Sequence, residues 1–169
     1  IVQARPETVQ ARKNMNVLEE YKLLEHGSVL VQGAAVGARI GHGQARFIKD
    51  PNQLDEFKPG EVLVAPITDP DWEPIMKMAS AFVTDSGGRT SHAAIVSREL
   101  GVPAIVGAAN VRKLLKTGQK VTVVCSEGDV GHIYDSILLF EVKKTEIKNI
   151  KKTKTKIMMN VGDPDNAFA

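Results

Sequence analysis

Cysteine is nearly missing from this sequence: Cys125 stands alone among 169 residues. A single thiol closes no internal disulfide, which excludes a disulfide-framed fold and fits a reducing, cytoplasmic compartment. Long apolar runs are missing too, and no stretch suffices to cross a bilayer. The opening Ile1-Val2-Gln3-Ala4-Arg5-Pro6 lacks the basic-then-apolar form of a signal peptide. Charge of one sign is not in excess: 22 Lys and Arg meet 20 Asp and Glu, a formal net charge of +2, which gives no reason to expect nucleic acid as a partner. Metal-ligand spacing is absent as well. His26, His42 and His132 have none with one another or with Cys125, so they read as structural or surface residues. Cys125, at the end of a predicted strand, reads as buried and inert.

What remains is ordinary in bulk. Apolar residues make up 43% and charged residues 25%, as in a soluble globular chain, and the length allows one compact domain with additional segments. The chain begins with Ile rather than Met, and its close, Gly162-Asp163-Pro164-Asp165-Asn166-Ala167-Phe168-Ala169, looks interrupted. Both features suggest a piece of a longer protein.

Along the chain, Glu7 to Glu25 reads as a helix, with Val9, Met15, Leu18, Leu23 and Leu24 among charges and Gly27 as a stop. From Ser28 to Ile48, Val29-Leu30-Val31 and a glycine-rich stretch predict two or three short β segments. There Gly37, Gly41 and Gly43 could pass for a phosphate loop, but no Lys-Ser/Thr follows and a turn is expected. Glu61 to Val64 is a strand. Asp69-Pro70-Asp71 opens a helix running to about Ala79, with Asp69 as cap and Pro70 at the first helical position. A buried strand Ala81 to Thr84, a loop Asp85 to Thr90, a helix Ser91 to Leu100 and a strand Pro103 to Val106 follow. A short helix at Val111 to Leu115 and a hairpin-like pair, Lys120 to Val124 and Val130 to Tyr134 about Glu127-Gly128-Asp129, complete the pattern. The β-α-β-α-β alternation predicts an α/β fold: a central sheet with flanking helices and a small second β layer. Glu141 to Lys156 is rich in Lys with Glu, Thr and Asn, and reads as a charged linker or exposed helix.

The chemistry concentrates in Thr84-Asp85-Ser86-Gly87-Gly88-Arg89-Thr90-Ser91-His92-Ala93-Ala94-Ile95-Val96. Gly87 and Gly88 allow unusual backbone conformations and close approach by another surface. Thr90 or Ser91 can cap the following helix. His92 falls in its first turn, where free amides and the dipole favour an anion and disfavour a cation, so the imidazole is expected to be a neutral nucleophile. Ala93 and Ala94 are small enough to leave its ring accessible. From spacing alone, the reading that His92 caps or fills space at a helix start is the favoured one, because one Gly-Gly and one His are a weak signal.

The longer run from Gly87 through Gly107 resembles the phosphohistidine signature of the PEP-utilising enzymes, a family that includes phosphoenolpyruvate synthases, pyruvate phosphate dikinases and enzyme I of the sugar phosphotransferase system. Thr68-Asp69-Pro70-Asp71-Trp72-Glu73-Pro74-Ile75-Met76 resembles the phosphoenolpyruvate synthases in particular. Residues 1–8 resemble the close of an ATP-grasp nucleotide domain, and Lys156 to Pro164 the entry to a pyruvate-binding barrel. The sequence departs from the family at Ala65-Pro66-Ile67, usually more polar, and at Asp85-Ser86, where a longer polar side chain is common.

The resemblance implies a swivelling β/β/α phosphohistidine domain at 27–140, preceded by the end of an ATP-grasp domain and a linker helix at 1–26. A charged linker at 141–156 and the start of the barrel at 157–169 would follow. It implies that the parent enzyme converts ATP, pyruvate and water to AMP, phosphoenolpyruvate and phosphate with Mg²⁺ bound outside this chain. His92 would carry the phosphoryl group as a tele-phosphohistidine between the ATP and pyruvate sites, and the chain alone would have no turnover. The partners implied are the ATP-grasp domain and the barrel of the same polypeptide, with ATP, pyruvate and phosphoenolpyruvate as ligands and no nucleic acid or membrane. Thr90 matches a regulatory phosphorylation position in some members, or is simply a cap. Arg89 is expected to contact phosphate, and Ser91 to donate to it. The rival readings are a pyruvate phosphate dikinase, an enzyme I, whose helical insertion is not visible here, or a noncatalytic module that kept the fold.

Overall fold

A computed structural model describes residues 17–146 of the chain, with only the backbone of Pro51 and Leu54. Its strands are β1 (Val17–Leu23), β2 (Val29–Val36), β3 (Ile40–Phe47), β4 (Val62–Ala65), β5 (Ala81–Thr84), β6 (Ala104–Val106), β7 (Lys120–Val124), β8 (Val130–Asp135) and β9 (Phe140–Glu146). Its helices are α1 (Glu73–Met76), α2 (His92–Leu100) and α3 (Val111–Leu114). The expected α/β architecture is present, and the central sheet closes on itself in the order β2-β6-β5-β4-β3-β7-β8. Strands β3, β4, β5 and β6 run parallel to one another, and the remaining barrel pairs are antiparallel.

The inner parallel strands β4 and β6 are apolar at every position, and β5 at all but Thr84, because both of their faces are covered. Alternation divides the burial. Val62, Val64, Ala81, Val83 and Ile105 enter one core with Val121, Val123 and Ile133 from the antiparallel strands. Leu63, Ala65, Phe82, Ala104 and Val106 enter a second, with Trp72, Ile75 and Met76 around α1 and Ala93, Ala94 and Val96 of α2. Within β3 the barrel demands glycine: a Cβ on Gly41 would lie 2.3 Å from the Ser80 carbonyl oxygen, and one on Gly43 2.3 Å from that of Gly60. The expected turn is therefore at Gly37 alone, which has φ 83°, whereas Gly41 and Gly43 are close-approach positions inside a strand.

The helix expected to run from Asp69 to Ala79 starts as predicted and is shorter. Asp69 accepts from the Asp71 amide at 2.9 Å, Pro70–Trp72 forms a 3₁₀ turn, and α1 adds one α turn before Lys77. Pro70 and Pro74 both lack the amide that a longer ladder needs.

Two expectations fail at the edges. Residues 17–23, predicted as the second half of a helix, form β1. Residues 141–146, predicted as linker, form most of β9. The two strands pair antiparallel from Val17↔Glu146 to Leu23↔Phe140. Tyr21, Leu23 and Phe140 pack at the ribbon's root against Ile40, Val124, Tyr134 and Leu138. Glu19 bridges Arg39 of the barrel at 3.2 Å and Lys144 across the ribbon at 3.1 Å. This ribbon is a separate two-stranded sheet, whereas the β-rich stretches 28–48 and 120–134, expected to form the small second layer, join the barrel as β2, β3, β7 and β8. The boundaries expected at 26/27 and 140/141 fall at the ribbon's root. The readings placed on residues 1–16 and 147–169 lie outside the described residues. Among the described residues, no helix is long and apolar enough to cross a membrane.

Candidate functional site

Strand β5 delivers the chain to the loop before His92. The Thr84 carbonyl accepts from the Ala108 amide at 2.9 Å, and the Thr84 hydroxyl donates to the Ser86 carbonyl at 2.8 Å. The Asp85 and Ser86 amides donate to the carbonyls of Ala65 and Pro66 at 3.2 and 3.1 Å, tying the loop to the chain leaving β4. Asp85 also pairs with Arg112 of α3, while its Oδ1 is buried without a partner. Gly87 takes φ +105°, a conformation that strains any other residue. A Cβ on Gly88 would meet nothing within 4 Å, so this position leaves open space beside the loop.

The Ser91 amide then donates to the Gly88 carbonyl at 2.9 Å, closing a turn that starts α2. Ser91 is the N-cap residue by backbone, and its carbonyl accepts from the Ile95 amide at 3.0 Å. Its hydroxyl makes no capping bond and is buried without a partner. The capping role expected of Thr90 or Ser91 is thus filled by backbone alone, and Thr90 lies exposed on the loop.

His92 is the first residue of α2 and is half-buried. Its Nδ1 lies 3.2 Å from the hydroxyl oxygen of Thr68, a buried residue on the chain between β4 and α1. In the tautomer that donates from Nδ1 to this oxygen, Nε2 holds the free lone pair. In that tautomer one nitrogen is fixed by the contact and the other is free. Ala93 and Ala94 are buried in the second core; their small size seats α2 close to the sheet rather than clearing space around the ring. At the far end, Gly101 closes α2 in the left-handed conformation and Arg98 lies in the last turn, as the helix dipole favours.

Arg89, expected at phosphate, is engaged elsewhere. Its Nη2 donates to the Asp129 carbonyl at 3.0 Å and lies 2.7 Å from Asp129 Oδ1 in the β7–β8 turn. Arg98 Nη1 donates to the carbonyls of Arg89 at 2.8 Å and Ala94 at 3.3 Å, bracing the loop on α2. The structure therefore brings Gly87, Gly88, Ser91 and His92 together as read from the sequence, and adds Thr68 and Asp129, to which the sequence reading assigned no role at this site. Thr68 had a usable signal: it follows one parallel strand and His92 follows the next. Loops after the carboxyl ends of adjacent parallel strands meet at one edge.

Of the remaining candidates, His42 packs edge-on against Phe140 with ring centroids 5.6 Å apart. His132 stacks at 6.0 Å from Tyr134. Cys125 is buried, its thiol donates to the Ala104 carbonyl at 3.2 Å, and burial pushes its pKa up to about 11. His42 is an exposed residue of β3, His132 a half-buried residue of β8, and Cys125 follows β7.

Comparison with known proteins follows the same stretch. Residues 57–128 match the family described as PEP-utilising enzyme, mobile domain. The chain is 56% identical over 168 residues to a Synechocystis protein named phosphoenolpyruvate synthase, which covers 99% of this chain and 20% of that protein. Proteins of the same name from Pseudomonas aeruginosa and Escherichia coli are 55% and 51% identical, each covering 99% of this chain and 21% of their own length. The chain thus spans about a fifth of the length of the curated relatives it matches.

Proposed function

Given that this chain carries the mobile domain of the PEP-utilising enzymes, we propose that His92 is the phosphoryl carrier of a phosphoenolpyruvate synthase. The observation that carries the reading is the Thr68–His92 contact at 3.2 Å. A histidine whose Nδ1 donates to a fixed, buried oxygen presents Nε2 as the nucleophile. It keeps the same hydrogen bond after Nε2 is phosphorylated, because the proton on Nδ1 is not displaced.

In the parent enzyme, Nε2 attacks the β-phosphorus of ATP, the bond to the α-phosphate oxygen breaks, and AMP leaves. Water then takes the terminal phosphate, leaving phospho-His92. The enolate oxygen of pyruvate attacks that phosphorus, the N–P bond breaks with its electrons returning to Nε2, and phosphoenolpyruvate leaves. The histidine thereby divides one difficult transfer into accessible ones. Mg²⁺, held outside this chain, would neutralise charge on the nucleotide phosphates. The partners are an ATP-grasp domain before this chain and a pyruvate-binding barrel after it, with 147–156 as linker, in a cytoplasmic enzyme. The chain by itself is expected to have no turnover. The exposed Thr90 is the position at which a regulatory phosphate would repel the group entering at His92. Ser91, whose hydroxyl lacks a partner, is placed in sequence to donate to that group.

The test is acid-labile label transferred from ATP labelled on the β-phosphate to the full-length polypeptide, mapped to the peptide containing His92. Wild type should take up label and lose it on adding pyruvate, and His92→Ala should take up none. Thr68→Val should slow uptake by about tenfold, the loss of one hydrogen bond to the imidazolium-like transition state. Labelling from phosphoenolpyruvate but not from ATP would move the assignment to an enzyme I-like protein; labelling from neither would leave a fold without this chemistry.

A further inference from the structure

The Arg89–Asp129 pair is anchored at both ends yet lies in solvent between them. Arg98 holds the Arg89 carbonyl at 2.8 Å. The Asp129 carbonyl accepts from the Ala35 amide at 2.9 Å as well as from Arg89. The side chains themselves are 46% and 87% exposed. The guanidinium can therefore leave Asp129 without the loop losing its backbone support. The neighbouring arginines are committed elsewhere, Arg98 to two carbonyls and Arg112 to Asp85.

We propose that Asp129 is a positioning residue for the carrier histidine: its carboxylate holds the Arg89 guanidinium while His92 is bare and yields it to the phosphoryl group once His92 is loaded. The inference rests on the carrier reading and adds a partner exchange to it. Arg89 precedes His92 by three residues, a separation of at most about 10 Å even in a fully extended chain, and the Ser91–Gly88 turn shortens it further. An exposed carboxylate pair is weak and screened. A phosphoryl group offers roughly two negative charges and three oxygens, which suit the planar fork of arginine better than one carboxylate oxygen does. The exchange therefore favours the loaded state only when phosphate is present, and leaves no guanidinium idle when it is absent.

The alternative is a fixed brace tying the loop to the β7–β8 turn, and the two make opposite predictions. The experiment uses the full-length polypeptide as wild type, Asp129→Asn, Arg89→Gln and the double variant. Phospho-His92 is measured at equilibrium with phosphoenolpyruvate and pyruvate. Releasing Arg89 from competition should raise the equilibrium constant for phospho-His92 about twofold to fivefold in Asp129→Asn, the range an exposed ion pair supports. In the Arg89→Gln background the same substitution should change nothing. A lowered or unchanged constant in Asp129→Asn, or an equal rise in both backgrounds, overturns the exchange and leaves the carrier reading intact. Absence of phospho-His92 in the wild type overturns both.

Discussion

The parallel wall beneath His92 and the β1–β9 ribbon are built from the same kind of secondary structure and held by different forces. Strands β4 and β5 are buried at all eight of their positions, whereas β9 leaves five of its seven exposed. The wall has a core on each face, so every side chain there is fixed by packing. The ribbon has backbone pairing, an aromatic root and a few ion pairs. Precision is thus concentrated where the ends of β4 and β5 place Thr68 and His92 together, and the ribbon needs only to remain paired.

The largest expected effect comes from opening the wall. Phe82→Ala empties a fully buried site in the core under α2 and should cost about 3–5 kcal/mol, read as a shift in the denaturation midpoint at constant slope.

Next is a contrast of ion pairs. Glu61, at the entrance to β4, is buried and accepts from Arg46 at 2.7 and 3.0 Å and from the Lys58 amide at 2.9 Å. Burial alone would raise its pKa, but these donors outweigh it and hold the group below 4.5. A carboxyl depressed in the folded state contributes stability above its unfolded pKa and loses it as pH falls through the folded value. Glu61→Gln should therefore cost about 1.5–3 kcal/mol near neutral pH. It should also flatten the acid limb of the stability profile, where wild type loses stability as pH falls below the unfolded carboxylate pKa. Glu19→Gln on the ribbon, which removes pairs whose cations Arg39 and Lys144 are exposed, should cost about 0–1 kcal/mol.

The smallest effect is expected from Leu18→Lys, at a ribbon position 60% exposed, which should stay within about 0.5 kcal/mol of wild type. A ribbon substitution as costly as Phe82→Ala would erase the distinction between the two regions.

The same contrast explains what the sequence disclosed. Runs such as Val62-Leu63-Val64 declare themselves locally, because a strand covered on both faces is apolar throughout, and Gly87 to His92 carries its loop and helix start in its own residue types. The ribbon does not. In β1, Val17, Glu19, Tyr21 and Leu23 share the half-buried face, and a Glu in that row breaks the period-two signal enough to admit a helical reading. Its partner lies beyond residue 139, so no local pattern reveals the pairing. Closure of the barrel through β2–β8 and β3–β7 depends on equally distant registers. Thr68 and Asp129 stand 24 and 37 residues from His92. Only the meeting of strand ends and turns in three dimensions brings Thr68 to its ring and Asp129 to the arginine beside it.

The ribbon has a further consequence for how such a unit is combined with others. Val17 and Glu146 are cross-strand partners, so the points where the chain enters and leaves lie about 5 Å apart. A fold with neighbouring entry and exit is a cassette: it can be inserted at a single surface turn of another sequence, or opened at a different loop and rejoined here, with little change to what surrounds it. The two ends of the described unit are separated by no more than the spacing of two strands.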